Sequence, residues 1–304
     1  MDRLAYKLIL SIVGLALSFT FSACTASGDA EEISPVMPDS ASGGSSGKSG
    51  DDPVSSSSEA KKESNAEIDS AIARMGWSDI PAAMLTYGGM SFTVDEFKMS
   101  TVEVTQGLYG TLMGEMPTQG HTGDKYPIEN VNWYQAALFC NKLSKWSGLD
   151  TAYIYSSVGT GDVLKDIEID YSVESIRLPT EMEWEIASRG GTTTTYYWGT
   201  DPASDYAYYG QSSGPSEVAQ FEPNAYGLYD MAGNVAEWVN DWYGAYPAES
   251  VINYGGPDKG DYRVIRGGGW SNVIKDCAPD VRDKKEPSYK SARVGFRVVH
   301  SAGF

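Results

Sequence analysis

A single thiol follows a run of three glycines late in the chain. Gly267, Gly268 and Gly269 precede a tryptophan in the stretch RGGGWSNVIKDC, which ends at Cys277. Glycine lets the backbone approach a neighbouring group closely, and a cysteine beside such a turn can be a nucleophile, a metal ligand or a small buried side chain. A reactive thiol also needs neighbours that lower its pKa. The residues alone leave these three roles open.

Two carboxylates flank a glycine in the stretch PNAYGLYDMAGNVAEWVNDWY, residues 223–243. Asp230 and Glu237 lie on either side of Gly233, which permits a tight turn. Carboxylates and turn carbonyls are hard oxygen donors, and Ca²⁺ takes about six to eight such ligands. We therefore expect calcium here. The alternative is a purely structural turn in which Asp230 caps backbone N–H groups.

Several other kinds of chemistry lack their residues. The chain has only two histidines, His121 and His300, and no CxxC motif, so zinc or iron spacing is absent. Serine-nucleophile signatures, P-loops and dinucleotide fingerprints are absent as well. The formal charge of −18 argues against a nucleic-acid partner, because phosphates require a basic face.

A first helix is predicted over residues 131–148. Asn132 can serve as the N-cap with Gln135 at N3, and the apolar residues that follow keep helical spacing. Gly148 ends the helix. Cys140 lies on the apolar face, so we expect a buried small side chain there and not a reactive thiol.

A second helix is predicted within residues 177–191. Thr180 and Glu183 form a T-x-x-E capping box, and Glu185 and Arg189 are spaced i,i+4 for an ion pair. Capping and pairing account for these carboxylates, so we expect no acid–base role for them.

Short strands are predicted around the two helices, at residues 262–270 and 292–299. The segments between them are long and rich in Gly, Asn and Tyr. Because there is no regular βαβ alternation and no repeat with a period of 20–50 residues, the sequence indicates the α+β class.

Residues 1–24 have the layout of a secretory signal peptide. Arg3 and Lys7 precede an apolar stretch that is too short for a membrane-spanning helix. The sequence FSAC resembles a bacterial lipoprotein cleavage box, in which Cys24 would become the lipidated first residue. An ordinary signal peptide with an incidental cysteine is the alternative.

The remaining chain is predicted to have two parts. Residues 25–74 are rich in Ser, Gly and charged residues and are expected to form a disordered tether. Residues 75–304 are long enough for one domain. We expect a lipid-anchored protein of the cell envelope, periplasmic or at the cell surface. Thr25, which follows Cys24, favours the outer membrane.

An ordered series of motifs resembles the formylglycine-generating enzyme family, the sulfatase-modifying-factor domain. The series covers residues 80–300 and includes YPIENVNWYQAALFCNKLS, RLPTEMEWEIASRGG, GLYDMAGNVAEW, RVIRGGGW and ARVGFRVV. The resemblance implies one α+β domain, a variant of the C-type-lectin fold. It also implies a calcium ion held by the side chains of Asp230 and Glu237 and by the carbonyls of Gly233 and Val235.

Catalytic members of this family oxidise a sulfatase cysteine to formylglycine with dioxygen and a copper(I) ion held by two cysteines. The resemblance places this pair at Asn272 and Cys277, and the family's nearby serine at Gly269. Copper(I) selects soft thiolates, and one thiolate cannot form a two-coordinate site. We therefore expect no copper. Cys277 remains the one catalytic candidate, and a buried remnant is the favoured interpretation.

Two functions are considered on this basis. The first is a non-catalytic binding or scaffold protein that presents a loop surface to a protein or glycan partner. Tyrosines and a tryptophan in YYWGTDPASDYAYYG, residues 196–210, suit such contacts. The alternative is a formylglycine-generating oxidase, or another oxidation through Cys277.

Overall fold

The computed structural model describes the backbone of residues 54–304 and the side chains from Asn65 onward. The predicted signal segment, the lipidation residue Cys24 and the first part of the predicted tether lie outside the described residues. The helices are α1 Val54–Met75, α2 Gln106–Met113, α3 Trp133–Trp146 and α4 Glu181–Arg189. The strands are β1 Trp77–Ile80, β2 Ala83–Tyr87, β3 Met90–Val94, β4 Phe97–Ser100, β5 Tyr153–Ile154, β6 Ser157–Val158, β7 Leu164–Lys165, β8 Glu168–Ile169, β9 Ser175–Arg177, β10 Ala236–Trp242, β11 Val251–Ile252, β12 Arg263–Arg266, β13 Asp283–Lys285, β14 Val294–Gly295 and β15 Val299–Ser301.

Within these residues the strands form two four-stranded sheets and three smaller ones. The first large sheet has the order β1-β4-β15-β9, and its neighbouring strands are all antiparallel. The second has the order β13-β12-β10-β14, in which β14 runs parallel to β10. Strand β3 pairs with β11 and β2 in a three-stranded sheet. This mixture of helices and mainly antiparallel sheets confirms the predicted α+β class.

Helix α3 forms as the sequence predicts. The Asn132 side chain accepts a hydrogen bond from the Gln135 backbone N–H, and the Gln135 side chain accepts one from the Asn132 N–H. Gly148 has a φ of 75° just after the C-cap, a conformation that favours glycine. Cys140 is fully buried, and this burial raises the pKa of its thiol. Cys140 is therefore the small core side chain that was expected.

Helix α4 has the predicted caps as well. Thr180 accepts a hydrogen bond from the Glu183 N–H, and the Glu183 carboxylate accepts one from the Thr180 N–H, which completes the capping box. Gly190, with a φ of 56°, ends the helix in the left-handed conformation. The Glu185–Arg189 ion pair is present at 2.8 Å.

The last part of the predicted tether is a helix, which corrects the boundary at residue 74. Ile68, Ala71 and Met75 of α1 are buried against the main core, and Ile72 packs beside them. Their spacing places them on one helical face, so a segment of polar composition still buries an apolar stripe. The Trp146 indole also donates a hydrogen bond to Asp69. Among the helices of residues 54–304, not one combines the length and apolarity needed to cross a bilayer.

The predicted strand over residues 292–299 divides into two strands of different sheets. Strand β14 pairs with β10, whereas β15 pairs with β4 and β9. Between them the Arg297 side chain enters the core and bonds to Glu237. The chain therefore crosses from the second large sheet to the first at this point. The other predicted strand, residues 262–270, contains β12 and then leaves the sheet at the glycines.

Candidate functional site

The turn after β12 brings the backbone against the buried thiol. Gly268 has a φ of 66°, and a Cβ there would lie 2.7 Å from the Cys277 Sγ atom and 3.0 Å from the Asp276 carbonyl oxygen. At Gly267, with a φ of 85°, a Cβ would lie 3.0 Å from the Trp184 ring. Both positions require glycine. The close backbone approach that the glycines predict is therefore to the Cys277 thiol and to the Trp184 indole.

Cys277 lies in an apolar environment. Its side chain is fully buried in a small cluster that includes Trp198. The Sγ atom contacts the Val273 carbonyl oxygen at 3.8 Å. Burial and, second, the Asp276 carboxylate raise the pKa of the Cys277 thiol to about 12. This environment favours the protonated thiol, which is a poor nucleophile.

Asn272 closes the glycine turn through its backbone and side chain. The Asn272 Oδ1 atom accepts a hydrogen bond from the Gly269 N–H at 3.0 Å, and the Asn272 N–H donates to the Gly269 carbonyl at 2.9 Å. The Asn272 carbonyl accepts from the Gly210 N–H at 2.8 Å. Asn272 therefore holds two chain segments together.

A cleft of about 280 Å³ opens beside this turn. Its polar lining includes Asn272 and two carboxylates, those of Asp276 and Asp283, together with two guanidinium groups, those of Arg266 and Arg282. The Cys277 side chain is not part of this lining. The cleft therefore presents amide, carboxylate and guanidinium groups, while the thiol lies beneath the turn.

The segment from Asp230 to Glu237 begins as a tight turn. Asp230, Gly233 and Asn234 all have positive φ values, of 58°, 91° and 54°. A Cβ on Gly233 would lie 2.2 Å from the Tyr208 carbonyl oxygen, so only glycine fits. The Asp230 Oδ2 atom accepts a hydrogen bond from the Ala219 N–H at 2.8 Å. Asp230 thus caps a backbone N–H group, as the structural alternative predicts.

Glu237 lies near the start of β10, and two donor side chains hold its carboxylate. Both of its carboxylate oxygens accept hydrogen bonds from the Arg297 Nε atom, at 2.9 and 2.8 Å. The Oε2 atom also accepts from the Trp184 indole at 2.6 Å. All three side chains are buried. A buried carboxylate requires such a partner because desolvation otherwise makes its charge costly.

Glu103 is a third buried carboxylate at this site, and the sequence analysis missed it. Its Oε2 atom accepts from the Asn234 side chain at 2.6 Å, and its Oε1 atom accepts from the Val235 N–H at 3.0 Å. Burial, followed by the charges of Asp230 and Glu237, raises the pKa of Glu103. The signal that the sequence offered was a carboxylate between two valines, Val102 and Val104.

The three glutamates of α4 form a buried ionic network. Arg177 holds Glu183 through two hydrogen bonds of 2.7 Å, and Arg266 bonds to Glu185. Arg282 binds both oxygens of Glu181, at 2.6 and 2.7 Å. Each of these glutamates therefore has an arginine partner. These ion pairs and the capping box give the carboxylates a structural role, in agreement with the expectation that they have no acid–base role.

Comparison with known proteins decides the family. Residues 86–302 match the model of the sulfatase-modifying factor enzyme 1-like domain. The chain belongs to this family. The solved structure of Treponema denticola variable protein 1 superposes with a TM-score of 0.66 and 34% sequence identity, covering 74% of this chain and 94% of that one. The predicted formylglycine-generating-enzyme fold is thereby confirmed.

Two curated relatives illustrate the range of the family. Chaperone protein LppX of Paenibacillus barcinonensis is 28% identical over 245 residues, which are 71% of this chain and 84% of the relative. The formylglycine-generating enzyme of Streptomyces coelicolor is 35% identical over 148 residues, 41% of this chain and 47% of the enzyme. The chain thus spans about half the length of that enzyme.

The residues present do not fit the copper site of the catalytic family members. Of the two expected ligand positions, Asn272 has a hard amide group that is engaged in the glycine turn. Cys277 supplies the one thiol of this pair, and that thiol is buried. Copper(I) in a two-coordinate site requires two soft thiolates, and this pair can supply at most one.

The residues present do fit calcium in charge and donor type. Glu103, Asp230 and Glu237 bring three buried carboxylates to one guanidinium, that of Arg297. Hard oxygen donors with excess negative charge suit Ca²⁺. In residues 65–304, however, where side chains are described, Asp, Glu, His and Cys side chains form no group of three with metal-site geometry. A calcium site would therefore depend also on backbone carbonyls, such as those of Gly233 and Val235.

Proposed function

We propose that this protein is lipid-anchored in the cell envelope and that its sulfatase-modifying factor domain binds a partner without oxidising cysteine. One observation carries the proposal. At the two positions where catalytic relatives hold copper, Asn272 closes a backbone turn, and Cys277 is buried with a thiol pKa of about 12. The domain keeps the family's fold but lacks the thiolate pair that its oxidative chemistry requires.

The anchor is supported by the first residues of the chain. A charged start, an apolar stretch and the sequence FSAC resemble a bacterial lipoprotein signal that ends at Cys24. Each buried methylene of an acyl chain contributes roughly 0.8 kcal/mol to membrane affinity, so more than one chain gives stable anchoring. Thr25 after the cysteine favours the outer membrane.

A protein or glycan partner is supported by the loop surface and by one relative. Tyrosine side chains between residues 196 and 210 are half-buried and can supply apolar contact area together with hydroxyl groups. LppX, which this chain covers over most of its length, is described as a chaperone protein. That description favours a polypeptide as the partner.

We include calcium as a structural ion in this proposal. Its ligands would be the carboxylates of Asp230 and Glu237 and the carbonyls of Gly233 and Val235. The ion would balance the negative charge that three buried carboxylates leave beside Arg297. Its role would be to hold the turn between Asp230 and β10, with no part in chemistry.

A direct assay separates the binding protein from an oxidase. The purified protein is incubated with copper(I), dioxygen and a cysteine peptide of the sulfatase type, and the peptide is analysed by mass spectrometry. We expect the cysteine to remain unmodified, while the Streptomyces coelicolor enzyme, run in parallel, forms the aldehyde. Aldehyde formation that disappears in Cys277→Ser would show that this protein is an oxidase working from a single thiol.

A further inference from the structure

A long part of the chain carries no cationic side chain. Residues 190–258 contain nine Asp and Glu residues and no Lys, Arg or His, although the chain has 23 Lys and Arg in total. This segment begins at the end of α4 and includes the loops that lead to β10. Any surface built from it is negative unless distant residues supply cations.

Three aromatic rings of this segment form a continuous stack. The Tyr196 and Trp198 rings are 4.6 Å apart and nearly parallel, and the Tyr206 ring lies 5.5 Å from Trp198 on a parallel plane. Trp198 is 8% exposed, whereas Tyr196 and Tyr206 are half-buried. Trp198 is therefore part of the core, and the two tyrosines carry the stack to the surface.

Hydrogen bonds fix the stack to neighbouring loops. The Tyr196 hydroxyl donates to the Ile274 carbonyl at 3.1 Å, beside Cys277. The neighbouring Tyr197, whose ring meets Trp198 edge-on, donates through its hydroxyl to the Glu222 carbonyl at 3.1 Å. The Tyr206 hydroxyl donates to the Asp201 carboxylate at 3.3 Å. The rings are therefore held in place before any partner arrives, which reduces the entropy lost on binding.

Exposed carboxylates border both ends of the stack. Asp201, Asp205 and Glu222 lie near Tyr206, and burial followed by these charges raises the pKa of that tyrosine. At the other end burial, the thiol of Cys277 and the charge of Asp280 raise the pKa of Tyr196. Within the described part of the chain, these four carboxylates form no salt bridge with a Lys, Arg or His side chain.

Aromatic rings bordered by carboxylates without salt-bridge partners suit arginine and lysine side chains, which have a cationic end and an apolar chain of methylene groups. An arginine or lysine can stack on an aromatic ring through its cationic end, at an exposed site for about 0.5–1 kcal/mol. Nearby carboxylates add attraction and speed association. A solvated acidic loop would need no aromatic stack, and a purely structural stack would need no border of unpaired charges.

We propose that this surface, formed by Tyr196, Tyr206, Asp201, Asp205 and Glu222, binds a basic segment of a partner polypeptide. The proposal rests on the non-catalytic binding function given above and names the chemistry of its partner. The partner presents arginine or lysine side chains, which stack on the tyrosines and pair with the carboxylates.

Fluorescence anisotropy with a short labelled oligoarginine peptide tests the proposal on the purified full chain. We expect binding that weakens as salt is added, because the attraction is screened. The triple variant Asp201→Asn/Asp205→Asn/Glu222→Gln should weaken binding about tenfold or more. Tyr206→Phe keeps the ring but loses the hydrogen bond to Asp201, so it should bind slightly more weakly than the wild type. Tyr206→Leu loses the ring as well and should bind much more weakly.

A matched variant separates local recognition from overall charge. Glu96→Gln/Asp150→Asn/Glu168→Gln removes the same three charges from exposed positions elsewhere, and it should change binding by less than about twofold. Equal weakening in both triple variants, or no binding at all, would overturn the proposal. So would spermine or Ca²⁺ competing as well as the peptide, since the site would then recognise small cations.

The titration is independent of the oxidase assay. Aldehyde formation by the wild type would contradict the proposed function, whereas failure to bind oligoarginine would contradict only this surface. Running both measurements on the wild type therefore distinguishes the two cases.

Discussion

At neutral pH a thiol whose pKa lies near 12 is almost entirely protonated. For Cys277 the first cause is burial and the second is the Asp276 carboxylate. An ordinary cysteine has a pKa of about 8.5, so at pH 8 its thiolate fraction is roughly a thousandfold higher. The rate at which the Cys277 thiol reacts with an alkylating reagent therefore reports on its burial.

We expect iodoacetamide to label Cys277 in the folded protein about a thousandfold more slowly than in urea. Burial limits access, and the raised pKa removes the reactive thiolate. Peptide mapping by mass spectrometry after timed quenching measures both rates. Cys140 provides an internal comparison, because burial raises the pKa of its thiol too. Fast labelling of Cys277 while Cys140 stays protected would indicate a reactive site instead.

The calcium proposal predicts that Asp230→Asn has different effects on stability with and without calcium. In chelator, Asp230→Asn should leave the melting temperature unchanged or raise it. It removes one of three buried carboxylates, and the amide oxygen can still accept from the Ala219 N–H. With added Ca²⁺ the wild type should gain stability, by about 2.7 kcal/mol at a hundred times Kd. The variant should gain much less.

Thermal unfolding with chelator and with calcium measures this difference, and elemental analysis gives the bound metal. The exposed change Asp150→Asn should respond to calcium like the wild type. A wild-type melting temperature that is the same in chelator and in excess calcium would contradict the calcium site.

Only part of this site could be predicted from the sequence. Asp230, Gly233 and Glu237 lie within one short segment, so their spacing indicates a turn with oxygen donors. Glu103 lies more than a hundred residues earlier, and Arg297 lies in another strand region. Their contacts depend on tertiary packing, which local patterns do not report.

For the helices too, local features could be predicted from the sequence and tertiary packing could not. The caps of α3 and α4 could be predicted because capping joins residues three apart. Helix α1 was missed because its polar composition indicates disorder, whereas its stability comes from a few apolar residues that meet the core. Its buried residues Ile68, Ala71 and Met75 are evidence of packing that composition hides.

Helix α1 should contribute measurably to stability. We expect Ile68→Ala to lower the free energy of unfolding by about 2–5 kcal/mol, because it empties a packed position. The neighbouring exposed change Glu67→Ala should stay within about 0.5 kcal/mol of the wild type. Urea unfolding followed by tryptophan fluorescence measures both. Equal effects of the two changes would show that α1 does not pack as described.

At the scale of the whole molecule, fold and function separate. Long motifs in family order made the fold predictable over residues 80–300, and the family match confirms it. Function depends on a few positions that have changed within that fold. By the family resemblance, Asn272 stands where catalytic members have a copper-binding cysteine and Gly269 where they have a nearby serine. These two differences are the reason that we propose binding and not oxidation.

Anchoring is the last prediction, and it concerns the whole protein in the cell. We expect Cys24→Ser to abolish lipid attachment and to leave the protein unprocessed or released from the membrane. Acyl chains supply the membrane affinity, at roughly 0.8 kcal/mol for each buried methylene. Labelling cells with a fatty-acid analogue and separating membrane from soluble fractions measures both effects.

Cys277→Ser is the matched control, because it removes a thiol at a buried position of the domain and leaves residues 1–24 intact. It should incorporate the label and sediment with membranes as the wild type does. A Cys24→Ser protein that still incorporates the fatty acid, or that migrates and partitions like the wild type, would contradict the lipoprotein interpretation. In that case this protein, with its proposed binding surface, would be held at the envelope by other means.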